Sequence, residues 1–366
     1  MKLLMFSTDR SAFDPESQFA SRLIEYSALF EEIDVIIGGA DAIGATSIVD
    51  NVILWPVGPL FLPQAYVVGK KILTGNAESY RITAQEELGG IVAYLLARRF
   101  RIQWQMQVHT DIASPYFRAH SFINKVRYRI ARFLLPRASC VRVVGSRVKQ
   151  GVEAIAALAS PAAILPIYAS RDTILERNYD DPYFDFVILI VSRLTSEKNV
   201  SLAIRAVARL AEEYPQTTLR IVGDGPERAS LEALAHELGL GAHVQFTGSL
   251  EGSATILSSY RKAAHAYLQT SWYEGYGLAV VEAMSAGLPV VMTNVGVAGE
   301  LVIDGESGLV VEPGDEDALF GALKRVRSDR ELRERIGRRA LEISRGLFTK
   351  EEYLEAFRQT LETCGA

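Results

Sequence analysis

Between Asp111 and Glu153 the sequence contains no aspartate or glutamate, and nine cations fall in the same gap: Arg118, Lys125, Arg127, Arg129, Arg132, Arg137, Arg142, Arg147 and Lys149. The imbalance is local. Net charge over the 366 residues is −5, so global electrostatics do not suggest a nucleic-acid partner. Cysteine is also scarce. Cys140 and Cys364 stand far apart, and neither belongs to a CxxC or Cys/His cluster, so the expectation is reduced thiols in a cytosolic protein and no metal site. No apolar run approaches the ~18 residues of a membrane span, and the apolar part of MKLLMFSTDR is too short for a secretion signal and reads as a first strand. Sequence repeats and low-complexity segments are absent. What is present, 49% apolar and 23% charged residues, is the profile of a soluble globular chain with room for two domains.

Within the acid-free gap, Phe122, Ile123, Val126, Ile130, Phe133 and Leu134 recur at helical spacing. One reading is a solvated basic face over a packed helix. The other is a surface, from Arg118 to Lys149, attracted to anionic lipid headgroups or to a phosphate-bearing acceptor.

Strand and helix patterns alternate along the chain. Strands are expected near residues 3–7, 34–37, 52–55, 81–84, 104–108 and 141–144, then 186–191, 217–222, 243–246, 266–269, 289–292 and 308–311. Helices are expected near 16–30, 63–74, 87–99, 121–135 and 147–157, then 200–214, 226–238, 254–262, 278–285, 316–327 and 329–345, with an amphipathic helix over 347–361. Each parallel crossover needs a returning helix, so the alternation predicts parallel sheets covered on both faces. The stretch 159–182 carries Pro161, Pro166 and Pro182 without a clear period and reads as a linker. The expected class is α/β, with domains over 1–165 and 166–345 and a terminal helix over 346–366. Two doubly wound domains would leave a cleft outside their strand ends, where such folds bind ligands.

The stretch SWYEGYGLAVVEAMSAGLPVV holds the most unusual acids. Glu274 lies on a loop with Gly275 and Gly277, and Glu282 sits one turn into a nearly all-apolar helix starting at Leu278. A carboxylate there costs several kcal/mol unless it is hydrogen-bonded. A vicinal diol of a ligand would supply the donors; so would water at the surface or a core arginine. The helix start offers unpaired N–H groups to phosphate or sugar oxygens. In SRLTSEKNV, Arg193 and Lys198 lie five apart on a strand-to-helix turn, a pair suited to a diphosphate or, alternatively, two surface cations partnered by Glu197. Gly223, Asp224 and Gly225 form a further glycine turn. Asp315-Glu316-Asp317, after Pro313-Gly314, reads as a helix cap and not a metal site.

Taken together, SRLTSEKNV, IVGDGPERASLE, VQFTGSL and TSWYEGYGLAVVEAMSAGLPVVMTNVGVAGELVIDGESGLVVEPGD resemble the C-terminal domain of retaining glycosyltransferases of the family 4 type, over roughly residues 187–315. The resemblance implies a GT-B fold, two Rossmann-like domains facing across a cleft. It implies that Glu274 contacts hydroxyls of the donor sugar, that Glu282 binds the nucleotide ribose, and that Arg193 and Lys198 hold the diphosphate. Backbone groups of Gly275, Tyr276, Gly277, Leu278 and Ala279 would hold the sugar, with Gly223 and Asp224 at the same edge. Phe246, Ser249 and Leu250 would lie beside the base. Val108-His109-Thr110-Asp111 is similar to the family's histidine motif, which sets His109 toward the donor sugar. One feature departs: residues 7–18, STDRSAFDPESQ, lack the glycine pair usual in the first strand-to-helix loop.

The implied activity is transfer of a sugar from a nucleotide-diphosphate sugar, with UDP or GDP as carrier, to a glycan or lipid-linked acceptor hydroxyl. Anomeric configuration would be retained, without metal, cofactor or covalent glycosyl-enzyme, in cytoplasmic polysaccharide or cell-envelope biosynthesis. Peripheral contact with an anionic membrane through the basic stretch is a further expectation. Competing readings are an epimerase or phosphorylase on the same fold and a non-catalytic sugar-nucleotide-binding protein.

Overall fold

The computed structural model describes residues 1–39, 44–169, 177, 179, 185–250 and 254–365. Two compact units result: residues 1–166 with 348–366, and residues 167–347. Part of the expected 159–182 linker falls outside the described residues.

The first unit runs β1 (Lys2–Ser7), α1 (Gln18–Ser27), β2 (Ile33–Gly38), β3 (Thr46–Val49), β4 (Val52–Val57), α2 (Phe61–Leu73), β5 (Tyr80–Gln85), α3 (Glu86–Phe100), β6 (Trp104–Val108), α4 (Pro115–His120), α5 (Phe122–Leu134), β7 (Cys140–Val143), α6 (Ser146–Ile155) and β8 (Ala163–Ile164). Its sheet order is β3-β4-β2-β1-β5-β6-β7-β8, with only β3 antiparallel to its neighbour. The chain moves outward from β1 in one direction and returns on its other side with β5, so the β1/β5 boundary is a topological switch.

The second unit runs β9 (Phe186–Val191), α7 (Val200–Glu213), β10 (Thr217–Val222), α8 (Arg228–Glu237), β11 (Val244–Gly248), α9 (Ala254–Ala263), β12 (Ala266–Gln269), α10 (Leu278–Ser285), β13 (Val290–Thr293), β14 (Leu309–Val311), α11 (Glu316–Ser328) and α12 (Arg330–Arg345). Its sheet, β11-β10-β9-β12-β13-β14, is wholly parallel. Covered on both faces, its strands are continuous apolar runs; Phe186, Ile188 and Leu189 of β9 are fully buried. Each large apolar side chain so buried contributes about 1.5–3 kcal/mol. The switch point lies between β9 and β12, and the loops that follow those two strands hold Arg193, Lys198 and Glu274.

The last helix, α13 (Lys350–Glu362), belongs to the first unit. A capping box at Thr349 and Glu352 starts it. Phe357 and Leu361 are fully buried, and Phe357 stacks on Tyr26 with ring centroids 4.4 Å apart. This docking corrects the expectation of two reduced thiols. It brings the Cα of Cys364 to 5.1 Å from that of Cys140, 224 residues earlier, and the two are joined as a disulfide. The thiol argument for a reducing compartment therefore falls away.

Of the two readings of residues 121–135, the packed helix under a basic face holds in part. Helix α5 forms, but its buried side chains are Asn124, Ala131 and Leu134, and Arg127 ties its inner side to Glu87 at 2.9 Å. Phe122, Ile123, Val126 and Phe133 are exposed. Small Ala131 and a hydrogen-bonded Asn124 allow the close approach; Asn124 Nδ2 donates to the Phe117 carbonyl at 2.9 Å. Among the described residues no helix is long and apolar enough to cross a membrane.

Candidate active site

The site in the second unit is assembled by backbone contacts between strand-end loops. Ser192 N donates to Val222 O at 3.0 Å, Leu194 N to Asp224 O at 2.8 Å and Glu227 N to Leu194 O at 3.0 Å. Trp272 N donates to Glu197 O at 2.8 Å, and the Thr270 hydroxyl donates to the carbonyls of Lys198 and Asn199. These bonds lock the loops after β9, β10 and β12 together.

The glycines at 223 and 225 serve that locking. A Cβ on Gly223 would lie 1.8 Å from the Ser192 carbonyl oxygen, and one on Gly225 2.4 Å from that of Leu194. Their backbone approach is to the neighbouring loop. Asp224 likewise turns to local partners, pairing with Arg228 at 2.9 Å and accepting from Gly225 N. Gly223 N donates to Gly248 O at 2.9 Å, which sets the turn of Phe246, Ser249 and Leu250 beside it, partly open to solvent. Gly277, at φ 94°, begins α10 in the left-handed region. Gly275 and Tyr276 are buried, and the Tyr276 carbonyl accepts from Val297 N at 2.9 Å.

Glu274 is the hub. Its Oε1 accepts from Lys198 Nζ at 2.5 Å, Gln269 Nε2 at 2.7 Å and Ser271 Oγ at 2.9 Å. Its Oε2 has no partner among the described residues. Nearby, at the ends of β9 and β12, Ser192 Oγ and Gln269 Oε1 are buried without a partner among those residues. Buried polar atoms normally have one, so this edge of the sheet leaves hydrogen-bonding capacity unused among those residues. Gln269, Ser271 and Ser192 were not anticipated from sequence; an amide and a hydroxyl shortly before Glu274 were the available signal, and Ser192, just after β9, gave none.

The two cations expected to aim together are not equivalent. Lys198 is largely enclosed and paired with Glu274, whereas the Arg193 side chain is 76% exposed and pairs with Glu197 at 3.5 Å. Glu282 is buried as expected, but a ligand diol is not needed to compensate it. Arg261 on α9, also buried, donates from Nη1 to Glu282 Oε2 at 3.2 Å, so the core-arginine alternative is what the structure shows. Leu278 and Ala279, at the start of α10, are half-buried. Asp315 caps α11 by accepting from Ala318 N at 2.9 Å.

In the first unit His109 follows β6. Its Nε2 lies 3.1 Å from Gln107 Oε1. That oxygen also accepts from Arg142 Nη1 at 3.0 Å, while Gln107 Nε2 donates to Thr83 Oγ1 at 2.7 Å. With the amide so oriented, the proton belongs on Nε2, and Nδ1 is left as an acceptor. Burial, then the charges of Arg142 and Arg22, push the His109 pKa down to about 3, so the ring is neutral near pH 7. Arg142 further donates to Leu165 O and to the Tyr353 hydroxyl at 3.2 Å, which ties α13 into the same network. The glycine-free loop is ordered by its own polar side chains: Asp9 caps a short turn over Arg10–Phe13, and Ser17 caps α1.

A solved sucrose-phosphate synthase from Thermosynechococcus elongatus superposes with a TM-score of 0.84 at 22% identity, covering 99% of this chain and 98% of that one. An Anabaena protein solved with UDP and glucose gives 0.76 at 22% identity, covering 99% and 100%. The fold is GT-B. Residues 177–342 match the family model described as glycosyl transferases group 1. A lipopolysaccharide core biosynthesis glycosyltransferase of Rhizobium meliloti is 32% identical over 182 residues, 50% of this chain and 51% of that protein. A glycogen synthase of Mycobacterium tuberculosis is 36% identical over 153 residues, 42% of this chain and 36% of that protein. The chain thus spans about half the length of the first relative and about a third of the second. By sequence and by fold it is similar to glycosyltransferases.

Proposed function

We propose that this chain is a retaining, hexose-transferring glycosyltransferase of the family 4 type, which moves a sugar from a nucleotide-diphosphate donor to an acceptor hydroxyl without a metal. The observation that carries the reading is Glu274, held through one oxygen by Lys198, Gln269 and Ser271 at the sheet's switch point, with its second oxygen and the buried Ser192 Oγ and Gln269 Oε1 left for a ligand. That constellation lies inside the stretch matching the group 1 model.

In this reading the donor's diphosphate takes Lys198 from Glu274 and recruits Arg193 from Glu197, an exchange of ion-pair partners. The reaction's barrier is charge separation as the anomeric carbon turns cationic and the diphosphate departs. Lys198, Arg193 and the N–H groups at the start of α10 stabilise the departing charge, each worth about 3–4 kcal/mol when preorganised. Glu274 orients sugar hydroxyls, and neither it nor neutral His109, whose Nδ1 is left as an acceptor, acts as a nucleophile. The departing phosphate oxygen receives the acceptor's proton on the same face, and configuration is retained. Glu282 takes the ribose while Arg261 compensates its charge. UDP or GDP as carrier, a cell-envelope or polysaccharide acceptor and a cytoplasmic location are further parts of the proposal; the neighbour solved with UDP, a GDP-mannose-dependent relative and the lipopolysaccharide core relative support the carrier and the acceptor class.

The test is product formation by the wild type and by Glu274→Gln across UDP-, GDP- and ADP-sugars with pooled glycan and lipid acceptors, the anomeric product assigned by NMR. Transfer with retention, lost about 10²–10³-fold in the variant, supports the reading. Tight donor binding without transfer or hydrolysis would instead favour a sugar-nucleotide-binding protein, the reading that the glycine-free loop at residues 7–18 favours. Sugar phosphate released from a glycan would favour a phosphorylase.

A further inference from the structure

We propose that the outward face of α5 docks the first unit onto an anionic lipid bilayer. The helix is amphipathic in an unusual sense: apart from Leu134 its buried side chains are small or polar, and its outer side is greasy. At 100° per residue, Phe122, Val126 and Phe133 fall in one narrow stripe on the face opposite Asn124 and Ala131. Phe122 is 77% exposed, Ile123 69% and Phe133 49%. Aromatic side chains in such positions normally bury much of their surface. The patch continues onto α3, where Leu88 and Leu95, seven residues apart on one face, are exposed and Tyr94 meets Phe133 edge-on at 5.9 Å.

Cations flank the stripe on one side. Lys125, Arg129 and Arg132 follow one another at spacings of four and three, and among the described residues none of them is in an ion pair. Arg127, by contrast, points inward to Glu87 and Glu86. Arg137 lies over the Phe133 ring at 3.9 Å, placing a charge against the apolar stripe. Apolar residues entering the acyl boundary with lysine and arginine at headgroup level is the pattern of an interfacial helix. Nucleic acid would neutralise the cations but leave Phe122 and Ile123 in water. A second copy of the chain would cover the apolar stripe but oppose two acid-free segments of like charge. An anionic bilayer matches both features.

The inference does not depend on glycosyl transfer, and its test uses neither donor nor acceptor. The full chain is sedimented with vesicles of phosphatidylcholine alone or with about one third phosphatidylglycerol. Salt is raised from about 0.1 M to about 1 M, which shortens the screening length from ~10 Å to ~3 Å. Binding is expected to the anionic vesicles only, and to weaken with salt. The triple variant Lys125→Ala, Arg129→Ala, Arg132→Ala should bind about 100-fold more weakly, at about fivefold per cation. Phe122→Ser with Ile123→Ser should lose about tenfold or more, with an unchanged melting temperature since both side chains are exposed. As a check independent of these losses, the fluorescence of Phe122→Trp should be quenched by brominated lipid chains. Binding to neutral vesicles alone, or none at low salt, overturns the proposal. So does binding that needs the cations but survives the serine variant without tryptophan quenching, which would mark a polyanion surface instead.

Discussion

The two units share one architectural plan and present opposite surfaces. Of the fifteen large apolar side chains exposed among the described residues, only Leu238 and Ile256 belong to the second unit. That unit spends its unusual residues inward, on Glu274, Lys198, Glu282 and Arg261, all largely enclosed at the carboxyl edge of the sheet or in the helix behind it. The first unit spends its unusual residues outward, on α5. A doubly wound sheet fixes where a ligand edge lies, but leaves the covering helices free to diverge. The ligand chemistry and the docking chemistry can therefore be changed separately.

That separation can be tested from its strongest point downward. Arg261→Ala removes the arginine paired with the buried Glu282 carboxylate and should destabilise the second unit by about 3–5 kcal/mol, while a separate first-unit transition in calorimetry stays put. A matched fall of both transitions would mean the units do not melt independently. Cys364→Ser, or reduction of the wild type, should lower only the first unit's transition, by about 2–4 kcal/mol, because the bond to Cys140 closes its last helix onto β7.

Acid should also act on the first unit. His109 is neutral when folded, with a pKa near 3, but takes up a proton near pH 6.5 when unfolded. Between those values the unfolded chain binds the extra proton, so stability falls as pH drops below about 6.5, by up to about 1.4 kcal/mol per pH unit from this group. His109→Gln should flatten that slope in pH-dependent denaturation. The smallest stability effect is expected at Arg193, whose pair with Glu197 is exposed on the arginine side. Arg193→Ala should change stability by less than about 1 kcal/mol yet weaken donor binding measurably.

Most of the fold was legible because parallel strands covered on both faces read as unbroken apolar runs. β6, β9, β10 and β12 fall where the pattern put them. β3 and α4 were missed, the first a short exposed edge strand and the second a six-residue helix. What sequence could not decide was sidedness and partnership. Helical spacing identified an apolar stripe on α5 but not whether it faces in; Asn124 and Ala131, which look ill suited to a core, made the close contact. Glu282 invited either a ligand or an arginine, and the arginine lies on another helix 21 residues upstream. The thiols at 140 and 364 were separated by the whole second unit, so their meeting depended on the return of α13. The pairing of Lys198 with Glu274, each assigned by resemblance to a different part of one ligand, was likewise a tertiary fact.

In the proposed function the β9/β12 switch point of the second unit receives a nucleotide-diphosphate sugar through Lys198 and Glu274. Titration calorimetry of UDP-, GDP- and ADP-sugars into the wild type and into Lys198→Ala tests it most directly. Saturable binding of at least one donor to the wild type is expected, weakened about 10–100-fold in the variant, as for loss of a charge-assisted contact. Equal affinity of the two proteins for the preferred donor, or no heat from any donor with the folded wild type, would contradict it.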